Sequence, residues 1–352
     1  MVCLKTTLKD IARELNLSVN TVSRGLRDMS DVGKETKILI KETAEKLGYR
    51  KNLVASNLRT SRSYIMGVVV TDYSNPAMSA IINGVESMGK TKGYTIMTGS
   101  SYENAVDEDN VIGSMIDHGV DGIILIPSLT NNRIIEKLKN ANIPFVLAVR
   151  SFETPPCNYN YIICDDVYGA EIVAERLYSC GHRKFMYLSG LSYISSAKQR
   201  YSGFANRLQA LGIPLENIQR LQCDGSRIDA YRTTSRWLAD FKDKREITAT
   251  AIFAFSDYVA CGVYMALKEH GYQIPQDISV VGYDNNEFSS IIEPSLCTVD
   301  NHFYDIGRRA AQRLSELINN ETENTESKIQ HIITTPELVW RDSVSQTDKG
   351  KR

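Results

Sequence analysis

No apolar run in this 352-residue chain reaches the roughly 18 residues that a membrane-spanning helix needs. The opening stretch, MVCLKTTLKDIARELNL, lacks the long apolar core of a secretory signal, so the expected location is the cytoplasm. The seven cysteines are odd in number and include no CxxC pair, which speaks against a disulfide framework or a zinc cluster. Reduced, mostly buried thiols are expected instead. The five histidines, His118, His182, His270, His302 and His331, show no HxxxH or HExxH spacing, so no metal site is expected. A GxSxG elbow and a GxGxxG turn after a strand are also missing. Neither an enzyme nor a cofactor is expected. The ending, DSVSQTDKGKR, has no heptads, which excludes a tetramerising coiled coil there.

What is present begins with uneven charge. Residues 1–62 carry thirteen Lys and Arg against seven Asp and Glu. The remainder carries 28 against 35. A short basic head on an acidic body is a sign of a polyanion-binding module, although a head kept basic for solubility gives the same count.

The head reads as three helices. Thr7 and Asp10 resemble a capping box, with Asp in place of the usual Glu. Leu8, Ile11, Ala12 and Leu15 follow at helical spacing. Asn16 tolerates the left-handed backbone of a tight turn, and Ser18 is a good N-cap for a second helix. A third helix is expected over 34–47, burying Ile40, Ala44 and Leu47, with Gly48 as its stop. Two helices across so short a turn have the dimensions of a helix-turn-helix. The second helix is the one that enters the major groove, and Val19, Asn20 and Arg24 occupy its leading turns. Asn can bond an adenine edge and Arg a guanine edge. An ordinary amphipathic surface helix is the alternative reading of the same residues.

Beyond Arg59 the pattern changes. IMGVVV, YTIMTG, GIILIP and FVLAV are short apolar runs separated by helix-patterned stretches. The alternation restarts with YIIC, KFMYLSG, ATAIFAFS and ISVVGYD. This grammar predicts two doubly wound lobes of parallel strands, with ligands bound beyond the strands' carboxyl ends. Two facing lobes form a cleft that can hinge.

TLKDIARELNLSVNTVSRGLRD, with the later KETAEKLGYRKNLVASNLRTSRS, resembles the head and hinge of the lactose-repressor (LacI/GalR) family. MGVVVTDYSNP, GVDGIILIPS, CGHRKFMYLSG, QRYSGF, FSDYVACGVYMAL and ISVVGYDN resemble that family's body motifs, in the family's order. The resemblance implies a homodimeric DNA-binding transcription regulator, expected to repress, whose head is a small all-α helix-turn-helix. Its body is an α/β, two-lobed, periplasmic-binding-protein-like unit. The implied organisation is a head over 1–50, a hinge over 51–63, a body over 64–342 and a polar tail over 343–352. Lobe one is expected over about 64–160 and 301–327, and lobe two over about 161–300 and 328–342.

Carried over residue by residue, the major-groove positions are Val19, Asn20 and Arg24, with Thr21 and Ser23 at phosphate or packing positions. Tyr49, Asn52, Ala55, Leu58 and Arg59 fall at the hinge and minor groove. Asn52 would cap the hinge helix, Ala55 is small enough for two such helices to meet, and Leu58 would be the wedge between base pairs. Lys51 stands where the family usually has proline. The implied effector residues are Thr71, Asp72, Ser128, Ser196, Arg200, Ser256 and Asp284. Val149 replaces an acid, Ser256 an Asn, and Gly225 lies near where some members place an aromatic wall. A stacking ring would then come from Tyr73, Phe152, Tyr193 or Phe255. The implied partners are a pseudo-palindromic DNA operator and a small-molecule effector, a carbohydrate by family habit, with nucleobases as the rival. Control by a partner protein such as a phosphocarrier is the alternative. A periplasmic solute-binding protein shares the body but not the head.

Overall fold

The computed structural model describes residues 6–49, 62–128, 132–152, 158–241, 249–323 and 328–347. The chain divides into a head, Met1–Ser63, and a body, Tyr64–Arg352.

The head contains α1 (Leu8–Glu14), α2 (Val19–Leu26) and α3 (Lys34–Lys46). The Asp10 carboxylate accepts both the Thr7 amide at 2.8 Å and the Thr7 hydroxyl at 2.7 Å. Asn16 takes the left-handed conformation at φ +52° and turns the chain between α1 and α2. Ser18 Oγ accepts the Thr21 amide at 3.0 Å and opens α2. Ile11, Ala12, Val22, Ile40 and Ala44 form the core, with Leu26 and Leu47 at its rim. Gly25 lets α2 approach α3, since a Cβ there would fall 2.5 Å from Ile40 Cδ1.

The body's first lobe contains β1 (Ile65–Val70), α4 (Pro76–Thr91), β2 (Thr95–Ser100), α5 (Ala105–Asp117), β3 (Gly122–Leu125), α6 (Asn132–Asn140), β4 (Phe145–Val149) and β5 (Asn160–Cys164). The second contains α7 (Asp166–Ser179), β6 (Phe185–Ser189), α8 (Ser195–Ala210), β7 (Ile218–Gln222), α9 (Arg227–Ala239), β8 (Ala251–Ala254), α10 (Asp257–Glu269), β9 (Ser279–Val281) and β10 (Thr298–Asp300). The chain then returns through α11 (Phe303–Glu323) and β11 (His331–Thr334) to the first lobe and ends with β12 (Glu337–Val339).

Lobe one is a parallel sheet in the order β11-β5-β4-β3-β1-β2. α4 and α11 cover one face, on Met66, Val68 and Val70, and α5 and α6 cover the other, on Val69, Ile123 and Leu125. Lobe two is a parallel sheet in the order β7-β6-β8-β9, with α9 and α10 on one face and α7 and α8 on the other. β10 and β12 form a separate antiparallel pair.

Two expected boundaries are corrected here. The run at 161–164 does not begin lobe two: Val146 pairs with Asn160 and Ala148 with Ile162, so β5 extends the first sheet. Residues 331–334 join the same sheet, His331 opposite Tyr161 and Thr334 opposite Cys164. A continuous apolar run marks a buried strand but carries no information on which sheet it enters. The expected polar tail is also partly structural. Ser343 is buried, donating to the Val280 carbonyl at 2.6 Å and accepting the Cys297 amide at 2.7 Å. The Thr347 amide donates to the Cys180 carbonyl. Residues 343–347 therefore belong to lobe two.

The chain crosses between lobes at Cys164–Asp166, at Asp300–Phe303 and at Thr334–Glu337. The Asp165 amide donates to the Thr334 carbonyl at 2.9 Å and ties the first crossing to the third. Cys164, Cys180, Cys223, Cys261 and Cys297 are free thiols, all but Cys261 buried. Burial pushes Cys164 and Cys223 up to about 12.

Candidate functional site

In the head, Val19 and Asn20 are exposed at the start of α2. Ser23 and Arg24 follow one turn later on the same face. The Arg24 Nε lies 2.6 Å from Asp31 Oδ2, so its guanidinium is already oriented. The Thr21 hydroxyl is 2.8 Å from Ser18 Oγ and shares in the cap. Tyr49 is half-buried against the head's core, and its phenol is pushed up by that burial. Asn52, Ala55, Leu58 and Arg59 lie outside the described residues.

In the body, the sequence-predicted residues divide into two kinds. Some are occupied locally. The Asp72 carboxylate accepts the Ser74 amide at 2.8 Å and its hydroxyl at 2.6 Å. Ser256 Oγ accepts the Val259 amide at 3.2 Å and caps α10. Thr71 is buried, with its hydroxyl 3.7 Å from Met78 Sδ. Ser128 is buried and its amide donates to Glu108 at 2.7 Å. Ser196 is buried in the first turn of α8.

Arg200 and Asp284 are of the other kind. Arg200 lies on α8 and is 3% exposed. Its Nε donates to Asp166 Oδ1 at 2.8 Å, and its Nη1 donates to the Phe255 carbonyl at 2.7 Å and reaches Asp284 Oδ1 at 3.4 Å. The guanidinium carbon sits 3.7 Å from the Tyr283 ring centre and 4.8 Å from that of Phe255. Asn301 Nδ2 donates to Asp284 Oδ1 at 3.0 Å. Gly169 makes room for this stack, because a Cβ there would fall 2.0 Å from Tyr283 Oη. Burial raises the carboxyls of Asp166 and Asp284, against the pull of Arg200. The arginine holds its charge because both carboxylates face it.

Asp166 was not among the sequence-predicted residues. Its signal is the doubled acid at 165–166: only one can cap the helix, and Asp165 does so, accepting the Tyr168 amide at 3.0 Å. Arg150 and Glu103 were missed as well. Arg150 Nη1 and Nη2 meet Glu103 at 3.0 and 2.9 Å, and Nη1 also reaches the Pro127 carbonyl. The Arg150 amide donates back to the Ala148 carbonyl across Val149, which stands at φ +67°. This is a γ-turn of the strained, positive-φ kind on a β-branched residue.

The body has eight non-glycine residues at positive φ among those described. Six of them, Tyr102, Glu103, Val149, Asp284, Asn285 and His302, stand at or just beyond strand carboxyl ends. Strain of this kind gathers where backbone is held for function. Arg150 acts electrostatically on Asp166, and both Arg150 and Glu103 act on Tyr193 of lobe two. Charges thus alternate from lobe two into lobe one: Asp284, Arg200, Asp166, Arg150, Glu103. A surface groove of about 570 Å³ between α5 and α6, lined by Asp109, Arg133 and Lys137, includes none of these five residues.

The lacI family model of bacterial regulatory proteins matches residues 7–52, and a periplasmic binding protein-like domain matches residues 174–344. The HTH-type transcriptional repressor PurR of Vibrio vulnificus is 30% identical over 348 residues, spanning 97% of this chain and 99% of that protein. The chain belongs to the lacI family. Catabolite control protein A of Priestia megaterium is a further relative, 29% identical over 91% of this chain and 94% of its own. Among solved structures, a Lac repressor dimer bound to operator and an anti-inducer is 25% identical, with a TM-score of 0.81 over 97% of this chain and 99% of that one. A lacI-family regulator from Enterococcus faecium with bound ribose is 25% identical, with a TM-score of 0.70 over 81% of this chain and all of that one. The helix-turn-helix head and two-lobed body are those of this lacI-family fold, and the chain is a DNA-binding transcription regulator rather than an enzyme. No helix among the described residues is long and apolar enough to cross a membrane.

Proposed function

We propose that the chain is a homodimeric repressor that reads a pseudo-palindromic operator and releases or tightens its grip in response to a small hydroxylated effector. Val19, Asn20 and Arg24 read base edges, with Thr21 and Ser23 toward the phosphates. The hinge over 51–63 enters the minor groove, with Leu58 as its wedge and Tyr49, Asn52, Ala55 and Arg59 around it. The effector sits between the lobes, touching Arg200 and Asp284 from lobe two and Asp72, Thr71 and Ser128 from lobe one, with Ser196 and Ser256 nearby.

The observation that carries this reading is the placement of the Arg200 cluster on the crossings between lobes. Asp166 stands on the first crossing and Asn301 on the second, and both are bonded into the cluster. A ligand that engages Arg200 or Asp284 therefore acts on the connections that set the lobes' relative positions. It shifts DNA affinity only by its difference in affinity for the two arrangements. The operator-bound Lac repressor and the ribose-bound Enterococcus regulator supply the partner classes. Ile228, Met265 and Ile291, all exposed on lobe two, offer an apolar face for the second copy.

The test is fluorescence anisotropy on an operator selected from random duplexes, with and without each member of a panel of sugars. A sugar that raises the melting temperature and moves operator affinity about 5- to 150-fold supports the reading. A panel that binds nothing, with operator affinity responding only to added cell protein, transfers control to a protein partner.

A further inference from the structure

An arginine grips a carboxylate or phosphate by offering two parallel N–H groups from one edge of its guanidinium. The guanidinium has two such edges toward its tip, Nε with Nη2 and Nη1 with Nη2. In this chain each has already lost a nitrogen. Nε is taken by Asp166 at 2.8 Å, and Nη1 by the Phe255 carbonyl at 2.7 Å and Asp284 at 3.4 Å. The Tyr283 and Phe255 rings pack on the guanidinium, their centres 3.7 and 4.8 Å from its carbon. Two buried carboxyl groups around one arginine also present a newcomer with more acid than cation. Arg150, the next cation toward lobe one, is held through both Nη atoms by Glu103.

We infer that Asp166 sets the charge preference of the effector site, so that the cleft refuses acids and phosphate esters and takes an uncharged or amine-bearing hydroxylated molecule. This rests on the reading that Arg200 faces the effector. Asp284 is the acceptor for such a molecule's hydroxyl or ammonium hydrogens. Asp166 makes its contribution by occupying Arg200 rather than by touching the ligand, so it is a positioning residue.

The experiment measures binding by calorimetry and melting temperature on the full chain, using inorganic phosphate, glucose 6-phosphate, ribose and glucosamine as probes. The wild type is expected to bind neither phosphate probe. Asp166→Asn replaces the carboxyl with a neutral amide whose oxygen holds Nε less tightly, and is expected to gain affinity for both phosphate probes by about tenfold or more. Adding Arg200→Gln should abolish that gain, and Asp166→Ser serves if Asp166→Asn fails to fold. Arg200-dependent binding of glucose 6-phosphate by the wild type overturns the inference, and this arm needs no folded Asp166 variant. So does a folded Asp166 variant with no gain. Ribose and glucosamine report separately on the effector reading. If neither binds yet Asp166→Asn gains phosphate, the charge rule stands and the sugar reading falls. If a sugar binds and Asp166→Asn gains nothing, the outcome is reversed.

Discussion

Arg150 and Glu103 meet through two N–H···O bonds of 3.0 and 2.9 Å, and the backbone on both sides of the pair is left-handed. Val149 at φ +67° sets the arginine's direction, and Tyr102 and Glu103 at φ +49° and +55° set the carboxylate's. Neither turn uses glycine, so the geometry is held against its own conformational cost.

Removing one partner of this pair should be costly. Arg150→Ala is expected to lower stability by about 1–3 kcal/mol, because a largely buried carboxylate loses its charged donors. Glu103→Gln should cost less, and the double variant less than the two together. Urea denaturation of the four proteins checks this, and strictly additive losses would show that the pair contributes nothing.

Arg200→Ala should first be a stability variant. It leaves Asp166 and Asp284 buried without their cation, at a cost of about 3–5 kcal/mol near neutral pH. Both carboxyls are already raised by burial, and losing the arginine removes the strongest pull that holds them down. They bind protons more readily in the folded variant than in the unfolded chain. The deficit against the wild type should therefore shrink as pH falls through the acid range. Melting curves of both proteins from pH 7 to about pH 5 test the sign, because the difference between them cancels the histidines that titrate in the same range.

For the head, Asn20→Ala or Arg24→Ala should cost about 1–3 kcal/mol on the preferred operator and relax preference at one half-site position. Asp31→Asn should raise affinity for all duplexes, since it removes a negative charge beside the DNA, while loosening Arg24 and narrowing the gap between preferred and scrambled sites. The logarithm of operator affinity should fall with that of salt concentration at a slope steeper than about −5. Anisotropy titrations provide all three measurements, and uniform weakening by Asn20→Ala would contradict its role at base edges.

The segment at 343–347 is acid-sensitive by construction. His182 Nδ1 is 2.9 Å from Thr250 Oγ1 and Nε2 is 3.2 Å from the Ser345 carbonyl. Burial holds its pKa at about 4, below the usual 6.5. The folded state binds the proton less well than the unfolded chain, so stability is full above the unfolded value and is lost as pH falls from there toward the folded one. The loss is roughly 3 kcal/mol when complete. His182→Gln should lack this part of the acid sensitivity, and the difference between its melting temperature and the wild type's should change across that window.

Much of this architecture is legible in the residues. Thr7, Asp10, Asn16 and Ser18 act where local chemistry places them, because caps and turns depend on neighbours in the chain. The lobes' strands are legible as apolar runs for the same reason. The sheet joined by residues 160–164 is decided by contacts with residues 146–149 and 331–334, which no local pattern carries. Arg200 and Asp284 were legible only through family resemblance. Asp166 was hidden because a doubled acid at a helix start reads as a cap. Asp72 and Ser256 show the converse, polar residues at strand ends whose side chains are turned to cap their own loops.

Asp166 and Asn301 place the Arg200 cluster at the fulcrum of the two lobes rather than at their tips. A body turning about such a point behaves as a lever with a short input arm. A shift of a side chain at the fulcrum becomes a larger displacement at the far edges of both sheets. An effector bound there, as proposed above, need be no larger than the few groups it displaces, because the fold itself supplies the length of the output arm.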